Sequence, residues 1–588
     1  MDRTGAGADR ATCRLEGSHL FRQRRGMIAE SAAFRAPTQS AASRAPTRDA
    51  GSENFPVASR LLAPEMRPKV MGFYRFVRTA DDIADDPALT AEEKLRRLAV
   101  LEAALDDPAT EEPAATALHA AGSGTDEARL MLSAFRQDAT QARYADWAAL
   151  EDYCVRSANP VGRMLLRLHD ETKPEALAAA DALCTALQIL NHLQDLVPDR
   201  RDIGRVYLPE AWTGLAGGEA RFFDPANTEA RRAVLDAALD QIEERLDAAA
   251  ALPQLLSAKR LARESAVTIA LARRLLARLR AADPVLGRVA LSRLDFLHGF
   301  RAALRTGPSD AALVSARVGR AGSSFARGMS ALKGERRRAL WAVYAFCRAV
   351  DDIADGAMPE SEKRRFLADW RGKLRAPDCA LSRELAQARS AFALPIQECE
   401  AMIAGMETDS TPSLRIADTE ALNLYCRRVA GSVGAMAVRI FGAPEAADFG
   451  LGLGRTLQLV NILRDLDEDA TRDRVYLPLD LLAAEGVADA PAATLIASPG
   501  FARAAAHLAQ QAEAGFAQAA AELRHLDQRA LLPARIMMWG YQRLFERLMA
   551  RGFGLPRPRP RLTRGEKLRM AAYAMGIMSM PQASASRA

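Results

Sequence analysis

The seven cysteines, at positions 13, 154, 184, 347, 379, 399 and 426, are odd in number and scattered, and none forms a C-x-x-C pair. That excludes a disulfide framework and the usual zinc or redox motifs, and points to reduced thiols in a cytoplasmic protein. Aromatic residues make up only 6% of the chain, and no segment has the β-branched, alternating character of a strand. There is no uninterrupted run of 18 apolar residues, so no membrane-spanning segment is expected, and the N-terminus lacks the apolar core of a secretory signal. Basic and acidic residues nearly cancel, 80 against 74. The residual +6 suits an anionic substrate or membrane surface, while the lack of a basic stripe interleaved with aromatics argues against nucleic acid. Gly450-Leu-Gly452-Leu-Gly454 has a nucleotide-loop look, but no strand precedes it. It reads as close helix packing or a bend, so nothing marks a nicotinamide site. His169, His192 and His298 stand alone, without metal-ligand spacing, and read as packing or surface residues.

What is present is a repeat. Arg78-Thr-Ala-Asp81-Asp82-Ile-Ala-Asp85 returns 270 residues later as Arg348-Ala-Val-Asp351-Asp352-Ile-Ala-Asp355. Gln188-Ile-Leu-Asn191-His-Leu-Gln-Asp195-Leu-Val-Pro-Asp199 returns at the same offset as Gln458-Leu-Val-Asn461-Ile-Leu-Arg-Asp465-Leu-Asp-Glu-Asp469. Arg205-Val-Tyr207-Leu-Pro209 returns as Arg474-Val-Tyr476-Leu-Pro478. The leading aspartates of the two acidic motifs are 114 residues apart in both copies. A solvated surface has no reason to keep such spacing, so a whole domain is repeated around its carboxylates.

The composition, rich in alanine, leucine and arginine, favours packed helices, and the chain reads as all-α with two tandem helical domains. The expected layout is a disordered extension over 1–50, a first domain over 51–305, a linker over 306–311, a second domain over 312–555 and a basic tail over 556–588. The helical pattern is interrupted at Asn159-Pro160 and near Pro198. Leu562 to Met580 mixes basic and apolar residues, as either a docked terminal helix or a segment lying on an anionic membrane.

Aspartates four apart share one helix face, where they repel unless a cation intervenes. Magnesium takes oxygen ligands and is held by one or two carboxylates plus substrate phosphates. Two acidic faces opposed across a helical cavity would hold two or three Mg²⁺ ions and clamp a diphosphate, with Arg78, Arg205, Arg348 and Arg474 adding charge-assisted hydrogen bonds. Departure of diphosphate from an allylic substrate leaves a carbocation, which calls for an apolar pocket with aromatic faces. The bland reading of any one motif is a solvated acidic helix.

Both halves resemble the squalene/phytoene synthase family of head-to-head prenyl transferases. In the second half the resemblance rests on Ser323-Ser324-Phe325, Tyr344-Ala-Phe-Cys-Arg348 with its aspartates, Tyr425 to Gly434, and Asn461 to Asp469. These are similar to the presqualene diphosphate synthases of hopanoid biosynthesis. The first half has Glu53-Asn54-Phe55 and Tyr153-Cys-Val-Arg-Ser-Ala-Asn159-Pro160, similar to the hydroxysqualene synthases. The resemblance implies the isoprenoid synthase fold in both domains. It implies metal ligands at Asp81, Asp85, Asp195 and Asp199 and at Asp351, Asp355, Asp465 and Asp469. Catalytic roles would fall to Tyr74, Arg78, Tyr207, Tyr344, Arg348 and Tyr476. Substrate contacts would fall to Asn54, Asn159, Gln188, Asn191, Arg205, Ser324, Tyr425, Gln458, Asn461 and Arg474. It further implies farnesyl diphosphate and presqualene diphosphate as substrates, no NADPH, and a downstream oxidoreductase that reduces hydroxysqualene. The expected location is the cytoplasm, with peripheral contact at the inner membrane face as a variant. The alternatives are a phytoene or dehydrosqualene synthase pair and a scaffold with inactive sites. Asn54, Gln194 and Pro198 stand where the second half has Ser324, Arg464 and Glu468, which fits a first half that handles one diphosphate or one that has partly degenerated.

Overall fold

Pro68, in the first turn of a helix, fits where a backbone N–H would have no partner anyway. From there α1 (Arg67–Asp85) runs with Val70, Phe73, Phe76, Ala80, Ile83 and Ala84 buried at helical spacing. The residues between them, Arg78, Asp81 and Asp85, are left on an adjoining face. Burying a side chain such as Phe76, 1% exposed, contributes about 1.5–3 kcal/mol, so the apolar stripe fixes where the aspartates point. The computed structural model describes residues 61–122, 124–302, 309–320, 332–575 and 577–578. Asn54, Ser324 and Phe325, the 1–50 extension and residues 306–308 of the linker lie outside the described residues.

The first half continues with α2 (Ala91–Asp106), α3 (Pro113–Ala121), α4 (Thr125–Asp138), α5 (Trp147–Ser157), α6 (Asn159–Leu168), α7 (Pro174–Gln194), α8 (Thr228–Ala249), α9 (Lys259–Ala281) and α10 (Arg293–Ala302). Helix α11 (Asp310–Arg320) leads into α12 (Gly334–Asp355), α13 (Glu360–Arg375), α14 (Ala380–Phe392), α15 (Ile396–Asp409), α16 (Thr419–Cys426), α17 (Ser432–Phe441), α18 (Ala447–Ala470), α19 (Pro499–Leu523), α20 (Leu532–Arg551) and α21 (Arg564–Ala574). Helices of six residues or fewer are left out of this numbering. Among the described residues the β-structure amounts to two isolated bridges, Arg143 with Val206 and Arg415 with Val475. Each lays the Arg-Val-Tyr-Leu-Pro segment of its half against the loop after α4 or α15.

The repeat is carried by packing as well as by sequence. Helix α7 lies on α6 and α8, and α18 lies on α17 and α19. α7 is apolar and long enough to cross a membrane by length and composition, but it is a core helix, with more than half of its apolar window buried. Where Asn159-Pro160 starts α6 in the first half, the second half relaxes through a π-turn at Arg427–Gly431, a device that recurs beside functional sites. The glycine run behaves as close packing. A Cβ at Gly450 would meet the Gly434 carbonyl at 2.6 Å, and one at Gly454 would strike the Ala430 carbonyl, whereas Gly452 faces open space.

A buried carboxylate of the second half is seated in the first. Glu362 of α13, 5% exposed, accepts from the Trp147 backbone N–H at 2.5 Å and from Trp212 Nε1. The two indoles stack with ring centroids 4.6 Å apart. Around this contact Glu151 accepts from Arg245 and, at 3.0 Å, from Arg365, and Lys373 pairs with Glu244. The stretch first read as a basic tail also folds back. Arg557, 7% exposed, pairs with Asp467 at 2.7 Å, and Trp539 of α20 meets Tyr573 of α21 edge to face.

Candidate active site

In each half a buried aspartate ends a helix and holds the site together. Asp138 closes α4 and Asp409 closes α15; both are about 6% exposed. Tyr425 Oη donates to Asp409 at 2.9 Å and Tyr476 Oη at 2.7 Å. Tyr153 Oη donates to Asp138 at 2.7 Å, while Tyr207 Oη stands off at 3.5 Å. Burial pushes Asp138 up to about 7, against the opposing pull of Arg205 and the tyrosines. Burial pushes Asp409 up to about 6, held lower by Tyr476 and Arg474. A carboxylate at a helix C-terminus works against the helix dipole, and this misplacement together with the repeat (Gln137-Asp138-Ala-Thr against Thr408-Asp409-Ser-Thr) was the available signal for residues that the motif reading missed.

Arg205 and Arg474 tie this buried aspartate to the first acidic face. Arg205 Nη1 donates to Asp85 at 2.5 Å and Nη2 to the Ala84 carbonyl at 2.8 Å. Arg474 makes the matching bonds to Asp355 at 2.6 Å and Ala354 at 3.2 Å, and adds the Asp409 carbonyl at 2.8 Å. Arg472 gives Asp355 a second guanidinium at 2.7 Å. Burial works against ionisation of Asp355, but Arg474 and Arg472 hold its carboxyl below the usual range. Its neighbour across the turn behaves oppositely. Burial and then the Asp355 charge push Asp351 up to about 7, and burial and Asp85 push Asp81 well up. Arg78 bonds Asp81 at 2.9 Å and Asp82 at 2.7 Å; Arg348 bonds Asp351 at 3.0 Å and Asp352 at 2.7 Å.

The second acidic faces lie on α7 and α18. Gln188, Asn191 and Asp195, and Gln458, Asn461 and Asp465, are half-buried along one side of their helices. Asp199 lies just past α7 in a π-turn, Asp199–Ile203, and its carbonyl accepts from the Arg205 backbone at 3.1 Å. Asp469 remains helical, and burial and Asp465 push it up to about 7. Arginines from beyond the repeat motifs reach these faces: Arg288 approaches Asp195 at 3.5 Å, and Arg559 bonds Asp465 at 2.8 Å and Glu468 at 2.7 Å. Neither arginine was singled out in the sequence, because each sits in an irregular segment with no helical period to place it.

A cavity of 350 Å³ opens beside the second-half faces. Tyr344, Gln458, Asn461 and Tyr541 form its polar rim, and Tyr541 Oη donates to Asn461 at 3.2 Å. Its interior is apolar, with Val433, Phe441, Phe449 and Leu457. The first half has a smaller cavity of 220 Å³, lined by Leu62, Leu165, Leu183 and Leu187 but also by Glu264, Ser265 and Thr268. Two named residues are turned to internal duty. Asn159, 3% exposed, accepts from Thr185 at 2.9 Å, and Tyr425 is 5% exposed on Asp409. Tyr74 is half-buried on α1.

Among the described residues no three carboxylate, histidine or cysteine side chains converge tightly enough to hold a metal unaided. The donors come instead as pairs, two per half, and in three of the pairs burial and then the charge of the partner aspartate raise one carboxyl, Asp81, Asp351 or Asp469. Such a set fits a hard divalent ion that takes part of its coordination from substrate phosphate.

The Squalene/phytoene synthase family profile matches residues 48–295 and again 318–566. The presqualene diphosphate synthase of Rhodopseudomonas palustris is 39% identical over 254 residues, 42% of this chain and 91% of that one. The hydroxysqualene synthase of Zymomonas mobilis is 39% identical over 259 residues, 42% of this chain and 84% of that one. A squalene synthase crystal structure from Alicyclobacillus acidocaldarius, 29% identical, covers 38% of this chain and 87% of its own, with a TM-score of 0.35. With two profile matches spanning most of its length, the chain belongs to the squalene/phytoene synthase family and carries two tandem copies of its domain.

Proposed function

We propose that this prenyltransferase makes hydroxysqualene from farnesyl diphosphate in two steps, one in each half. The second half joins two farnesyl diphosphates into presqualene diphosphate, and the first half ionises that product and lets water capture the cation. The observation that carries this reading is an apolar cavity rimmed by Tyr344, Gln458 and Asn461 in the second half, with a smaller cavity of the same helix surroundings in the first. The domain limits 51–305 and 312–555 mark the two catalytic units in this reading, with the 556–575 segment completing the second.

Asp351, Asp355, Asp465 and Asp469 would hold magnesium in the second half, and Asp81, Asp85, Asp195 and Asp199 in the first. Bound magnesium supplies charge neutralisation for the departing diphosphate. Arg348 and Arg78 stand one turn from the leading aspartates and are placed to donate to phosphate oxygens. Arg474 and Arg205 are committed to Asp355 and Asp85, so their part is to hold the face rather than to grip substrate. Gln458, Asn461 and Tyr344 orient the diphosphate end at the cavity rim, and the apolar interior takes the prenyl chain and keeps water out. No reductant is needed for either step.

The test is a product assay on the whole chain with farnesyl diphosphate and Mg²⁺, without NADPH, read by mass spectrometry. Hydroxysqualene from wild type, presqualene diphosphate from Asp81→Ala and no product from Asp351→Ala are the expected results. Presqualene diphosphate as the only wild-type product would remove the first-half assignment. No turnover of farnesyl diphosphate would redirect the search to longer prenyl diphosphates and the phytoene synthase alternative.

A further inference from the structure

The two halves differ most where their frameworks coincide. Tyr153-Cys154 aligns with Tyr425-Cys426, so Ser157 stands where the second half has Val429. The shared Asn and Asp of α7 and α18 place His192 opposite Ile462, and Tyr144-Ala-Asp146 aligns with Ile416-Ala-Asp418. Val429 lines the second-half cavity. At these positions the first half has therefore replaced aliphatic side chains by a hydroxyl, an imidazole and a phenol.

His192 is buried and stacks on Tyr207 with centroids 3.5 Å apart and planes inclined by 15°, and Tyr153 lies 6.1 Å away. Ser157 follows Tyr153 by one turn on α5. His192 Nε2 and Ser157 Oγ are both buried without a hydrogen-bond partner among the described residues. Buried polar atoms are nearly always satisfied, and where protein supplies no partner an ordered water usually does. Burial, with Arg205 nearby, pushes His192 down to about 3, so the ring is neutral and retains a nitrogen that accepts.

We propose that His192 Nε2 and Ser157 Oγ seat the water molecule that ends the first-half reaction, and that His192 takes its proton. The proposal rests on the reading that the first half ionises presqualene diphosphate. The C–O bond to diphosphate breaks and the leaving group takes the electron pair. A lone pair of the seated water forms the new C–O bond to the rearranged cation, and the resulting oxonium gives one proton to Nε2. The sum is substrate plus water giving alcohol, diphosphate and one proton, with no change of oxidation level. A protonated alcohol is a far stronger acid than imidazolium, so even a weakly basic buried histidine accepts from it. In the second half Ile462 and Val429 offer water no seat, which suits a cation that is to form a carbon–carbon bond.

The experiment supplies presqualene diphosphate and Mg²⁺ to the full chain as wild type, His192→Ile, His192→Gln and Ser157→Val. Diphosphate release and the share of product captured as alcohol are read separately, and condensation of farnesyl diphosphate by the second half reports an intact fold. Diphosphate release should persist in the histidine variants, while the alcohol share falls about a hundredfold, the usual scale of a positioned base. Olefins formed by proton loss should take its place, with a smaller fall in Ser157→Val. A wild-type alcohol share in either histidine variant, or loss of diphosphate release in both, overturns the proposal. Wild type making no alcohol from presqualene diphosphate defeats the underlying reading instead.

Discussion

Around the same carboxylate frame the two halves have built different walls. Tyr476 and Tyr425 stack on each other and both bond Asp409, with Ile416 and Ile462 at the positions that align with Tyr144 and His192, whereas Tyr207 is flanked by Tyr144 at 5.6 Å and His192 at 3.5 Å. The second half spends more cation on its acidic faces, with Arg472 added on Asp355 and Arg464 and Arg559 on Asp465. The first has Gln194 in place of Arg464. Duplication thus kept the carboxylate and arginine frame and varied the side chains around it, which under the proposed function is where two steps on related substrates must differ.

The largest expected difference concerns the frame arginines. Arg205→Met strips Asp85 and Asp138 of their cation inside a site where Arg205 is 4% exposed, and removing one partner of a buried pair costs about 3–5 kcal/mol. Arg474→Met should cost less, because Asp355 keeps Arg472. Chemical denaturation of the two variants checks the order, and an equal loss would mean that Arg472 contributes nothing. Next comes the docking carboxylate. Glu362→Ala leaves the Trp147 N–H and Trp212 Nε1 buried without an acceptor, at about 1–3 kcal/mol each. The thermal transition should fall and split in calorimetry as the halves come apart. A smaller contrast lies in the tyrosines. Tyr476→Phe removes a 2.7 Å bond, whereas Tyr207→Phe removes two longer ones, 3.5 Å to Asp138 and 3.3 Å from Arg205. The first should destabilise by about 1 kcal/mol and the second by less, read as a difference in melting temperature.

A contrast of another kind is in pH dependence. Asp138 and Asp409 bind protons more tightly folded than unfolded, where a carboxyl titrates near 4. Their contribution is complete below that value and is lost as pH rises through about 7 for Asp138 and about 6 for Asp409. Asp138→Asn should therefore flatten the stability profile up to pH about 7, and Asp409→Asn over a narrower window, measured as melting temperature against pH.

Much of this was legible in the chain. The acidic motifs, their common offset and the Arg-Val-Tyr-Leu-Pro segments locate both sites, because a helix places residues four apart on one face whatever surrounds it. Asp138 and Asp409 were not legible as motifs, since each acts alone and its importance comes from partners 15–16 and 67–69 residues distant. Arg288 and Arg559 escaped for a related reason: an arginine in an extended segment reveals its target only when the chain has turned back. His192 read as a packing or surface residue. It is indeed packed, but nothing local said that the stacking partner would be Tyr207.

The contact made by Glu362 has no mirror image. Lys94 and Lys363 both donate to the carbonyl that ends the first acidic helix, which makes Glu93 the counterpart of Glu362, and Glu93 is occupied by Arg96 and Arg97. Trp147 opens α5 as Thr419 opens α16, and the Thr419 N–H turns to Asp480 at 3.3 Å. The halves therefore meet heterologously, tail of one to head of the other, and not as the two sides of a symmetric dimer. In assembly terms, neither half is self-complementary through this seat: two first halves would lack the carboxylate, two second halves would lack the indoles, and only the mixed pair completes it.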